Sequence, residues 1–456
     1  MKFANSFIAF LTFVFFLMTA AVSADDSYWI GALACPFTTV TDEISEELFY
    51  DLLAGNGTED EEIHHIYIST DALEKLSTLT KDSHMDVVRD EKADRFIREN
   101  RTGTYCVVLP LTSMDPTMKY VRVGDHPSPW SNEYSPEEDI LAVKTDEGGM
   151  DTDELTTVLI TGTTALVRTT SYKMYLNGPL YPTEDIIDVF RDSDITHISN
   201  ESSIWSQCPE PLNTFGMMQF CSNPRSYELL DHLKVDVIEL TGNHLRDYDW
   251  PPLKEMLDEF EDRGYRFYGA GRSFEEAAKP VIIEENSHRF IFLGCNIAGP
   301  DHVFVEESHP GVNKCDFDQL ADEIRQYKNE GMLPIVTVQY YETYSHVPTE
   351  MQISDFTKLH DAGAVIVSGS QAHYPQIFQP YKDSFIHYGP GNLFFDQMDT
   401  PVEGTSHEFL DRYVFYRGRL LQLEVITAQL TDFCKPVPME GAEREKFLTE
   451  MFGYMR

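Results

Sequence analysis

From Leu155 onward, short apolar runs alternate with stretches in which hydrophobic residues recur every three to four positions. The apolar runs occupy residues 157–162, 194–199, 235–240, 289–295, 334–339, 364–369 and 384–389. Runs that are apolar throughout are typical of strands buried on both faces, as in sheets covered by helices on each side. This alternation predicts an α/β fold in which mixed sheets are flanked by helices.

One of the intervening stretches has a clear helical repeat. Leu253, Met256, Leu257 and Phe260 follow the i, i+3, i+4, i+7 spacing that places side chains on one face of a helix. Two prolines precede these positions and Gly264 follows them, which is typical of the first turn and the end of a helix. The stretch therefore predicts an amphipathic helix that packs against the sheet.

The chain divides into regions of different pattern. Residues 25–130 mix helical stretches with an apolar strand, and they predict a smaller N-terminal α/β region without the spacing of a catalytic motif. Residues 131–154 are rich in Pro, Gly, Ser and acidic residues, which predicts a linker or a long surface loop. Residues 155–430 are expected to form the main domain, and residues 431–456 a helical extension.

The first 24 residues have the composition of a secretory signal peptide. Lys2 precedes an almost wholly apolar run over residues 7–22, and small residues up to Ala24 are typical of a cleavage site. The alternative, an uncleaved anchor helix, is disfavoured because the run is short and a cleavage site follows it. We expect a secreted protein, extracellular or periplasmic, with no stable membrane span after signal removal.

Acidic residues outnumber basic ones by a wide margin. The 456 residues include 76 Asp and Glu against 35 Lys and Arg, a net charge of -41. A surface this negative repels phosphate backbones, which argues against a nucleic-acid partner. A solvated surface is the simplest explanation of the charge, and affinity for cations or a cationic polymer is the alternative.

Seven cysteines in an exported chain predict disulfide bonds. Two pairs are close in sequence and flank loops rich in Pro, Gly and Asn, namely Cys208 with Cys221 and Cys295 with Cys315. Cys35 and Cys106 are candidates for a third pair, which leaves Cys434 odd. Spacing by itself does not determine the connectivity.

Polar side chains follow five of the predicted strands at the point where each strand ends. They are Asn200 and Glu201, then Asn243, His244 and Asp247, then Gln339 and Glu342, then Gln371 and His373, and finally Asn392. In open α/β sheets, ligands bind beyond the carboxyl ends of the strands. Each residue alone fits an ordinary turn or a structural histidine, but five such strand ends together predict one functional cleft.

Three blocks of this half of the chain resemble the capsule and poly-γ-glutamate synthesis (CapA) family of the calcineurin-like metallophosphatase superfamily. The blocks are VDVIELTGNHLRDYD, RFYGAGRSFEEAAKPVIIEE and DAGAVIVSGSQAHYPQIFQPYKDSFIHYGPGNLFFDQ. The resemblance runs from Leu155 to the C-terminus and does not cover residues 25–150. It implies a metallophosphatase-like layered sandwich and a role in the synthesis or processing of an extracellular polymer.

The resemblance also implies roles for individual residues. Asn243 and His244 match the family's Asn-His pair and Asp247 matches its following acid, so His244 and Asp247 are the predicted catalytic pair. An acid behind a histidine fixes the tautomer and the basicity of the ring. Glu201, Asn243 and His373 are the predicted metal ligands, because carboxylate and amide oxygens suit hard cations and imidazole suits transition metals.

Three positions depart from the family's pattern. Thr163 stands where the family has a metal-binding Asp, and Gln339 and Gln371 stand where it has histidines. Thr and neutral Gln bind transition metals far more weakly than carboxylate and imidazole do. We therefore expect one divalent cation, Mn, Zn, Fe or Mg, at a single site rather than the two-metal centre of the superfamily.

Two functions remain open on these residues. The first is a metal-assisted hydrolase or transferase that acts on an extracellular anionic polymer, either polyglutamate or a polysaccharide. The second is a catalytically silent relative that uses the same cleft to bind the polymer or guide its export. In both cases the expected substrate contacts are Asn200, Gln339, Tyr340, Tyr341, Glu342, Gln371 and Asn392.

Overall fold

The computed structural model describes residues 27–58, 61–76, 85–99, 104–146, 148–213, 216, 218–399 and 402–455. The predicted signal peptide lies outside these described residues. Within them, none of the helices combines the length and the apolar character needed to cross a membrane. The described residues form an N-terminal α/β unit and a larger α/β unit that begins at Leu155.

The N-terminal unit is a mixed sheet with helices. Its elements are β1 (Ser27–Pro36), β2 (Glu43–Ile44), α1 (Glu46–Leu53), β3 (His65–Ser69), α2 (Thr70–Lys75), β4 (Val87–Val88), α3 (Asp90–Glu99), β5 (Tyr105–Pro110), β6 (Met118–Val123) and β7 (Ala142–Thr145). The strand order is β2-β6-β1-β5-β3-β4, and β7 pairs with the first residues of β1. Because β1 has neighbours on both edges, its apolar sequence is buried from Trp29 onward.

The first half of the larger unit alternates strands and helices. Its elements are β8 (Leu155–Thr161), β9 (Thr163–Thr164), α4 (Arg168–Asn177), α5 (Ile187–Arg191), β10 (Ile195–Asn200), α6 (Ser226–Leu233), β11 (Val237–Glu239), α7 (Trp250–Arg263), β12 (Arg266–Tyr268), β13 (Ala270–Gly271) and α8 (Phe274–Ala277).

The second half continues the alternation and ends in long antiparallel strands. Its elements are β14 (Val281–Glu285), β15 (His288–Asn296), β16 (Gly311–Val312), α9 (Phe317–Asn329), β17 (Leu333–Gln339), α10 (Glu350–Ala362), β18 (Ile366–Ser370), β19 (Phe378–Pro380), β20 (Phe385–His387), β21 (Asn392–Phe394), β22 (His407–Tyr416), β23 (Arg419–Thr431), β24 (Lys435–Pro438) and α11 (Gly441–Gly453).

Two sheets of the larger unit pack face to face. The first has the order β12-β11-β10-β8-β22-β23-β24, and the second has the order β14-β15-β17-β18-β20-β19. Between them lies an apolar core that includes Val158 and Ile160 from the first sheet and Phe292, Ile335 and Phe385 from the second. Helices α6 and α7 cover the outer face of the first sheet, and α9 and α10 cover that of the second.

This layered arrangement confirms the fold expected from the sequence. The seven predicted apolar runs correspond to β8, β10, β11, β15, β17, β18 and β20. The predicted amphipathic helix is α7, in which Leu253, Met256, Leu257 and Phe260 are fully buried. Gly264 ends this helix in the left-handed conformation, with φ of 75°, which glycine adopts without steric cost.

The segment predicted as a linker, residues 131–154, packs against the folded units instead. It contains β7, and Leu141 within it is buried. The indole N–H of the preceding Trp130 donates to Glu424 Oε2 in β23 at 2.8 Å. Acidic residues in the segment accept local hydrogen bonds, as Asp139 does from the Leu141 backbone at 2.8 Å. Of the two predicted alternatives, these contacts fit the long surface loop.

The disulfide expectations are confirmed. Both close pairs are bonded, and Cys35 is bonded to Cys106, which joins β1 to β5. Among the described residues Cys434 is the free cysteine, and it is buried.

Glu408 in β22 is a buried carboxyl group whose backbone pairs with Gly391, next to the predicted site residue Asn392. Neither of its carboxyl oxygens has a hydrogen-bond partner within the described part of the chain. Burial therefore raises the pKa of Glu408 well above its usual value. The protonated form is favoured in the folded state, so its contribution to stability is complete below the unfolded pKa of about 4.3 and is lost as the pH rises toward the folded pKa.

We expect the Glu408→Gln variant to lose less stability than the parent between about pH 5 and pH 8, because Gln stays neutral throughout. The unfolding free energy of the variant minus that of the parent should rise by about 1.4 kcal/mol per pH unit until the folded pKa is reached. Urea unfolding at several pH values measures this difference. Glu445→Gln on the exposed face of α11 is the matched control. A difference that stays constant with pH would contradict a neutral Glu408.

Candidate functional site

The carboxyl ends of parallel strands from both sheets meet at one edge of the larger unit. Gln339, at the end of β17, donates from Nε2 to Asn243 Oδ1 of the loop after β11, at 3.3 Å. His373, after β18, places Nε2 3.6 Å from Oε1 of Glu201, which follows β10. Loops that are far apart in the sequence therefore form one site, as the strand-end pattern predicts.

Asn392 holds His373 in place. The Nδ1 atom of the ring lies 2.8 Å from Asn392 Oδ1, an acceptor, so the proton on this nitrogen is donated to Asn392. The amide nitrogen of Asn392 donates to the backbone carbonyls of His373, Gln397 and Thr405 at 3.4, 3.3 and 3.2 Å. Because Nδ1 is engaged, Nε2 is the ring nitrogen that faces Glu201. Asn392 thus holds the His373 imidazole in a defined orientation.

Glu201 is a buried carboxylate that lacks hydrogen-bond donors. Its side chain is 1% exposed, and neither oxygen has a hydrogen-bond partner among the residues that the structure describes. The hydroxyls of Thr163 and Thr164, in the adjoining β9, are also buried and also lack a hydrogen-bond partner among the described residues. Leaving a buried polar group without a partner costs about 1–3 kcal/mol, and more when the group is charged. These oxygens are therefore available to hold a cation.

The loop after β11 lies directly against Glu201 because Gly242 has no side chain. A Cβ atom at Gly242 would lie 2.4 Å from the Glu201 Cα, so any other residue would push the two loops apart. This approach brings His244 into backbone pairing with Ser202. Asn243 and His244 are half-buried, and they form the accessible side of the site.

His244 and Asp247 form the hydrogen-bonded pair that the sequence predicts. His244 Nδ1 lies 2.7 Å from Asp247 Oδ2. Burial opposes protonation of the ring, but the hydrogen bond to Asp247 and the negative charge of Glu201 outweigh it, so the pKa of His244 is raised above its usual value. With Nδ1 bound to the carboxylate, Nε2 is left for proton transfer.

Three non-glycine residues beside the site adopt the left-handed backbone conformation. Arg168 has φ of 46°, Gln371 of 77° and His373 of 51°. This conformation costs of the order of 1–3 kcal/mol per residue and persists only where the surrounding structure imposes it. At Arg168 and His373 the side-chain hydrogen bonds to Asp396 and Asn392 are part of the structure that imposes it.

A neutral polar layer lies behind the site, between the sheets. Gln339 Nε2 donates to Gln371 Oε1, and Ser370 Oγ donates to Gln339 Oε1 at 2.7 Å. The Ser370 hydroxyl also lies 3.3 Å from Glu239 Oε1. Burial raises the pKa of Glu239 and lowers that of the neighbouring His197 to about 3. The hydrogen bonds of Ser370 and of the two amides to each other fix the orientation of both glutamine side chains.

Sequence reasoning missed an ion pair next to the site. Arg168, the first residue of α4, donates from Nε to Asp396 Oδ1 at 3.1 Å. The Arg168 guanidinium lies over the rings of Phe220 and Phe395, 4.8 and 4.9 Å from their centroids. Asp396 follows the end of β21, just as the predicted site residues follow the ends of other strands. This position after a strand end is the sequence feature that could have identified it. The position of Arg168 depends on its left-handed backbone conformation, which the sequence does not indicate.

Two aromatic rings that were also missed cover the histidines. The Phe220 ring lies 4.0 Å from the His244 ring, and the Phe395 ring lies 5.1 Å from the His373 ring, measured between centroids. Phe220 and Phe395 also contact each other at 6.0 Å. The two imidazoles are therefore linked by a short aromatic chain. Nothing in the sequence pattern distinguishes a core-packing role for Phe395 from a contact with the site.

The structure corrects two predicted substrate contacts. Tyr340 is only 2% exposed and donates its hydroxyl to Asp355 at 2.8 Å, in the core beneath α10. Asn200 is buried and donates to the Ser202 carbonyl at 2.8 Å, on the side facing Met256 of α7. Successive residues of a strand point to opposite faces. Each of these residues therefore points away from the site that its neighbour faces.

Tyr341 and Glu342, which follow Tyr340 in the sequence, are exposed at the edge of the site, here called the rim. Tyr344 donates its hydroxyl to Glu342, and Gln397 Nε2 donates to the Tyr344 oxygen at 2.6 Å. Since the Gln397 carbonyl accepts from Asn392, the rim is connected through hydrogen bonds to the residue that holds His373.

The sequence profile of a known family matches the part of the chain that builds this site. The profile of the bacterial capsule synthesis protein PGA_cap matches residues 157–397, just over half of the chain. The chain belongs to this family. The resemblance inferred from the strand-end motifs is thereby confirmed, and the N-terminal unit lies outside the matched PGA_cap residues.

Curated relatives match a similar portion of the chain. The capsule biosynthesis protein CapA of Bacillus anthracis is 29% identical over 165 residues, which are 35% of this chain and 40% of the relative. The PGA biosynthesis protein CapA of Bacillus subtilis (strain 168) is 27% identical over 180 residues, which are 39% of this chain and 47% of the relative. The matches therefore span less than half the length of these relatives.

Solved structures resemble the chain at low similarity. The calcineurin-like phosphoesterase YfkN of Bacillus subtilis is 12% identical, with a TM-score of 0.33, over 66% of this chain and 99% of that one. A superposition at this level carries no argument about the chemistry of the PGA_cap site.

The donor set fits one hard cation better than a two-metal centre. Across the described ranges, no group of three or more His, Cys, Asp or Glu side chains is placed to hold a metal ion, and a two-metal centre does not fit because it needs several such ligands around both ions. A single Mg or Mn ion takes mainly oxygen ligands and retains several waters. Among the predicted ligands, Glu201 Oε1 and His373 Nε2 lie 3.6 Å apart, and they supply one carboxylate and one imidazole of the kind such an ion takes.

We expect Asn392→Ala to lower the free energy of unfolding by about 3 kcal/mol, because it leaves the His373 ring and buried carbonyl groups without their partner. Urea unfolding of the full chain measures the loss. Asn223→Ala, which removes a local hydrogen bond to the Arg225 backbone, is the control and should cost about 1 kcal/mol or less. A loss below about 1 kcal/mol for Asn392→Ala would show that Asn392 does not stabilise the site.

Proposed function

We propose that this PGA_cap protein is exported and acts on an extracellular anionic polymer, polyglutamate or a capsular polysaccharide, as a hydrolase or transferase with one divalent cation. The observation that carries the proposal is the convergence of His244, Asp247 and His373 around Glu201. The names of the CapA relatives support the polymer class, since they are capsule and PGA biosynthesis proteins.

Glu201, His373 and Asn243 are the residues that would hold the cation, with the Thr163 hydroxyl beside them. A bound Mg or Mn ion polarises the carbonyl or phosphoryl oxygen under attack. The shortage of imidazole and thiolate ligands favours these ions over Zn or Fe.

His244 transfers the proton. In hydrolysis, the oxygen of water bonds to the attacked carbon or phosphorus and gives up one proton, the bond to the leaving group breaks, and the leaving atom takes up one proton. His244 Nε2 is the group placed for this transfer, because Asp247 engages Nδ1 and stabilises the charged ring. Gln339 and Gln371 supply fixed amide groups that hydrogen-bond the polymer next to the reacting bond.

We expect His244→Ala to lower the turnover of a phosphodiester or poly-γ-glutamate substrate about 10²–10⁴-fold, the usual contribution of a general acid or base. The assay uses the full mature chain with Mg or Mn added. His302→Ala removes an exposed histidine far along the chain from the site loops and should leave turnover unchanged. Equal turnover in His244→Ala and the parent would rule out the enzyme.

We expect Mg or Mn to raise the unfolding temperature of the parent and to leave that of Glu201→Gln unchanged, because Gln removes the anionic ligand while keeping its shape. Thermal unfolding with and without the ion, together with metal analysis of the purified protein, provides the measurement. Glu445→Gln is the control for loss of an exposed charge. A cation effect that persists in Glu201→Gln would place the ion elsewhere.

A catalytically silent role in binding or guiding the polymer is the second candidate. Two observations favour it: the neutral amides of Gln339 and Gln371 in place of metal-binding histidines, and the exposed aromatic rim, where Tyr341 is 43% exposed. Hydrogen-bonding amides and a stacking ring suit retention of a chain as well as its cleavage.

If the protein is a polymer-binding relative, Tyr341→Ala should weaken retention on immobilised polyglutamate or capsular polysaccharide several-fold, because it removes the exposed ring at the rim. Tyr50→Ala, which removes a tyrosine of comparable exposure from α1 of the N-terminal unit, should leave retention unchanged. Unchanged retention in Tyr341→Ala would count against binding at this rim.

A further inference from the structure

Residues 219–222, here called the Phe220 segment, contact the His244–Asp247 pair through the backbone. The Phe220 N–H donates to Asp247 Oδ2 at 2.7 Å, and the same oxygen lies 2.7 Å from His244 Nδ1. The Gln219 side-chain amide donates to the Asp247 backbone carbonyl at 2.8 Å. The Asp247 carboxylate is therefore oriented from one side by the Phe220 segment and from the other by His244.

The Phe220 side chain restrains the imidazole itself. Its ring lies 4.0 Å from the His244 ring with the planes 31° apart, so it covers one face of the imidazole. Phe220 is buried and contacts Phe395 and the Arg168 guanidinium on its other sides. The His244 ring cannot rotate away from Asp247 without displacing this packed phenyl ring.

The Phe220 segment is held at both ends. Ser222 pairs with the backbone of Ser203 at 2.9 Å, and its hydroxyl lies 2.9 Å from that of Ser202. Cys221, next to Phe220, is bonded to Cys208 across a sequence separation of 13.

Apart from Phe220, most described residues of the loop that this disulfide closes have exposed side chains. Leu212 and Met218, for example, are 58% and 66% exposed. Side-chain burial therefore contributes little to the position of the loop, whereas closing a loop of this length contributes about 3 kcal/mol in the chain-entropy model. The disulfide is the covalent restraint adjacent to Phe220.

We propose that Phe220, secured by the Cys208–Cys221 disulfide, is a positioning residue that keeps His244 and Asp247 aligned. The catalytic consequence rests on the proposed function, whereas the alignment is a property of the fold and is measurable by itself. The other disulfides have different locations, and Cys35–Cys106 lies between β1 and β5 of the N-terminal unit.

The test uses the full mature chain carrying both Cys208→Ser and Cys221→Ser. In the parent, the Nδ1 proton of His244 should give a protected imidazole signal in the NMR spectrum, identified by its absence in His244→Ala. In the double variant we expect this signal to broaden beyond detection and kcat to fall about 10- to 100-fold with KM nearly constant, because misplacing a catalytic group by about 1 Å costs rate rather than binding.

The control carries Cys35→Ala and Cys106→Ala, and it should keep both the His244 signal and the parent kcat. A folded Cys208→Ser, Cys221→Ser variant with the parent signal and kcat would overturn the proposal. If that variant does not fold, Phe220→Leu retains the disulfide and decides the matter, since an unchanged His244 signal there also overturns it. Full activity of His244→Ala would end the proposed function, and the NMR signal would still test the alignment.

Discussion

A carboxylate buried at the edge where two sheets meet sets the conditions for the rest of the site. Glu201 has no hydrogen-bond donor on the described part of the chain, and Nε2 of the His373 ring lies 3.6 Å from its Oε1. Burying an ionised carboxylate is unfavourable unless a counter-charge compensates it. The surrounding architecture meets this condition in two ways: Asn392 fixes the His373 ring, and Gly242 lets the His244 loop lie close enough for Glu201 to favour the charged imidazole.

The loss of three family ligands has a structural counterpart. Gln339 and Gln371 are hydrogen-bonded to each other, and the Ser370 hydroxyl donates to the Gln339 carbonyl oxygen and lies 3.3 Å from Glu239 Oε1. Amides bind metal ions weakly, but fixed in this way they present a defined set of donors and acceptors. The site thus combines one buried carboxylate with the fixed amides of Gln339 and Gln371. The carboxylate suits one hard cation and the amides suit a polymer rich in polar groups, and the two proposed functions rest on these properties.

Three residues near the two histidines carry a conformational cost. Arg168, Gln371 and His373 hold left-handed backbone angles that side chains disfavour. Dense contacts impose them: Asp396 engages Arg168, and Asn392 engages His373. The Phe220 segment contacts both His244 and Asp247, and the Cys208–Cys221 disulfide lies next to it. Two rings on separate loops thus keep defined orientations, which proton transfer requires and which loops of ordinary mobility do not provide.

The sequence by itself determined the features that depend on local pattern. Continuous apolar runs identified the buried strands, a four-residue repeat with flanking Pro and Gly identified α7, and polar residues after strand ends marked the site. Only the tertiary structure decided which residues face that site. Because side chains alternate across a strand, Tyr340 and Asn200 point to the helices while their neighbours face the cleft. Contacts between residues far apart in the sequence leave no repeating pattern along the chain. The roles of Phe220, Arg168 and residues 131–154 depend on such contacts.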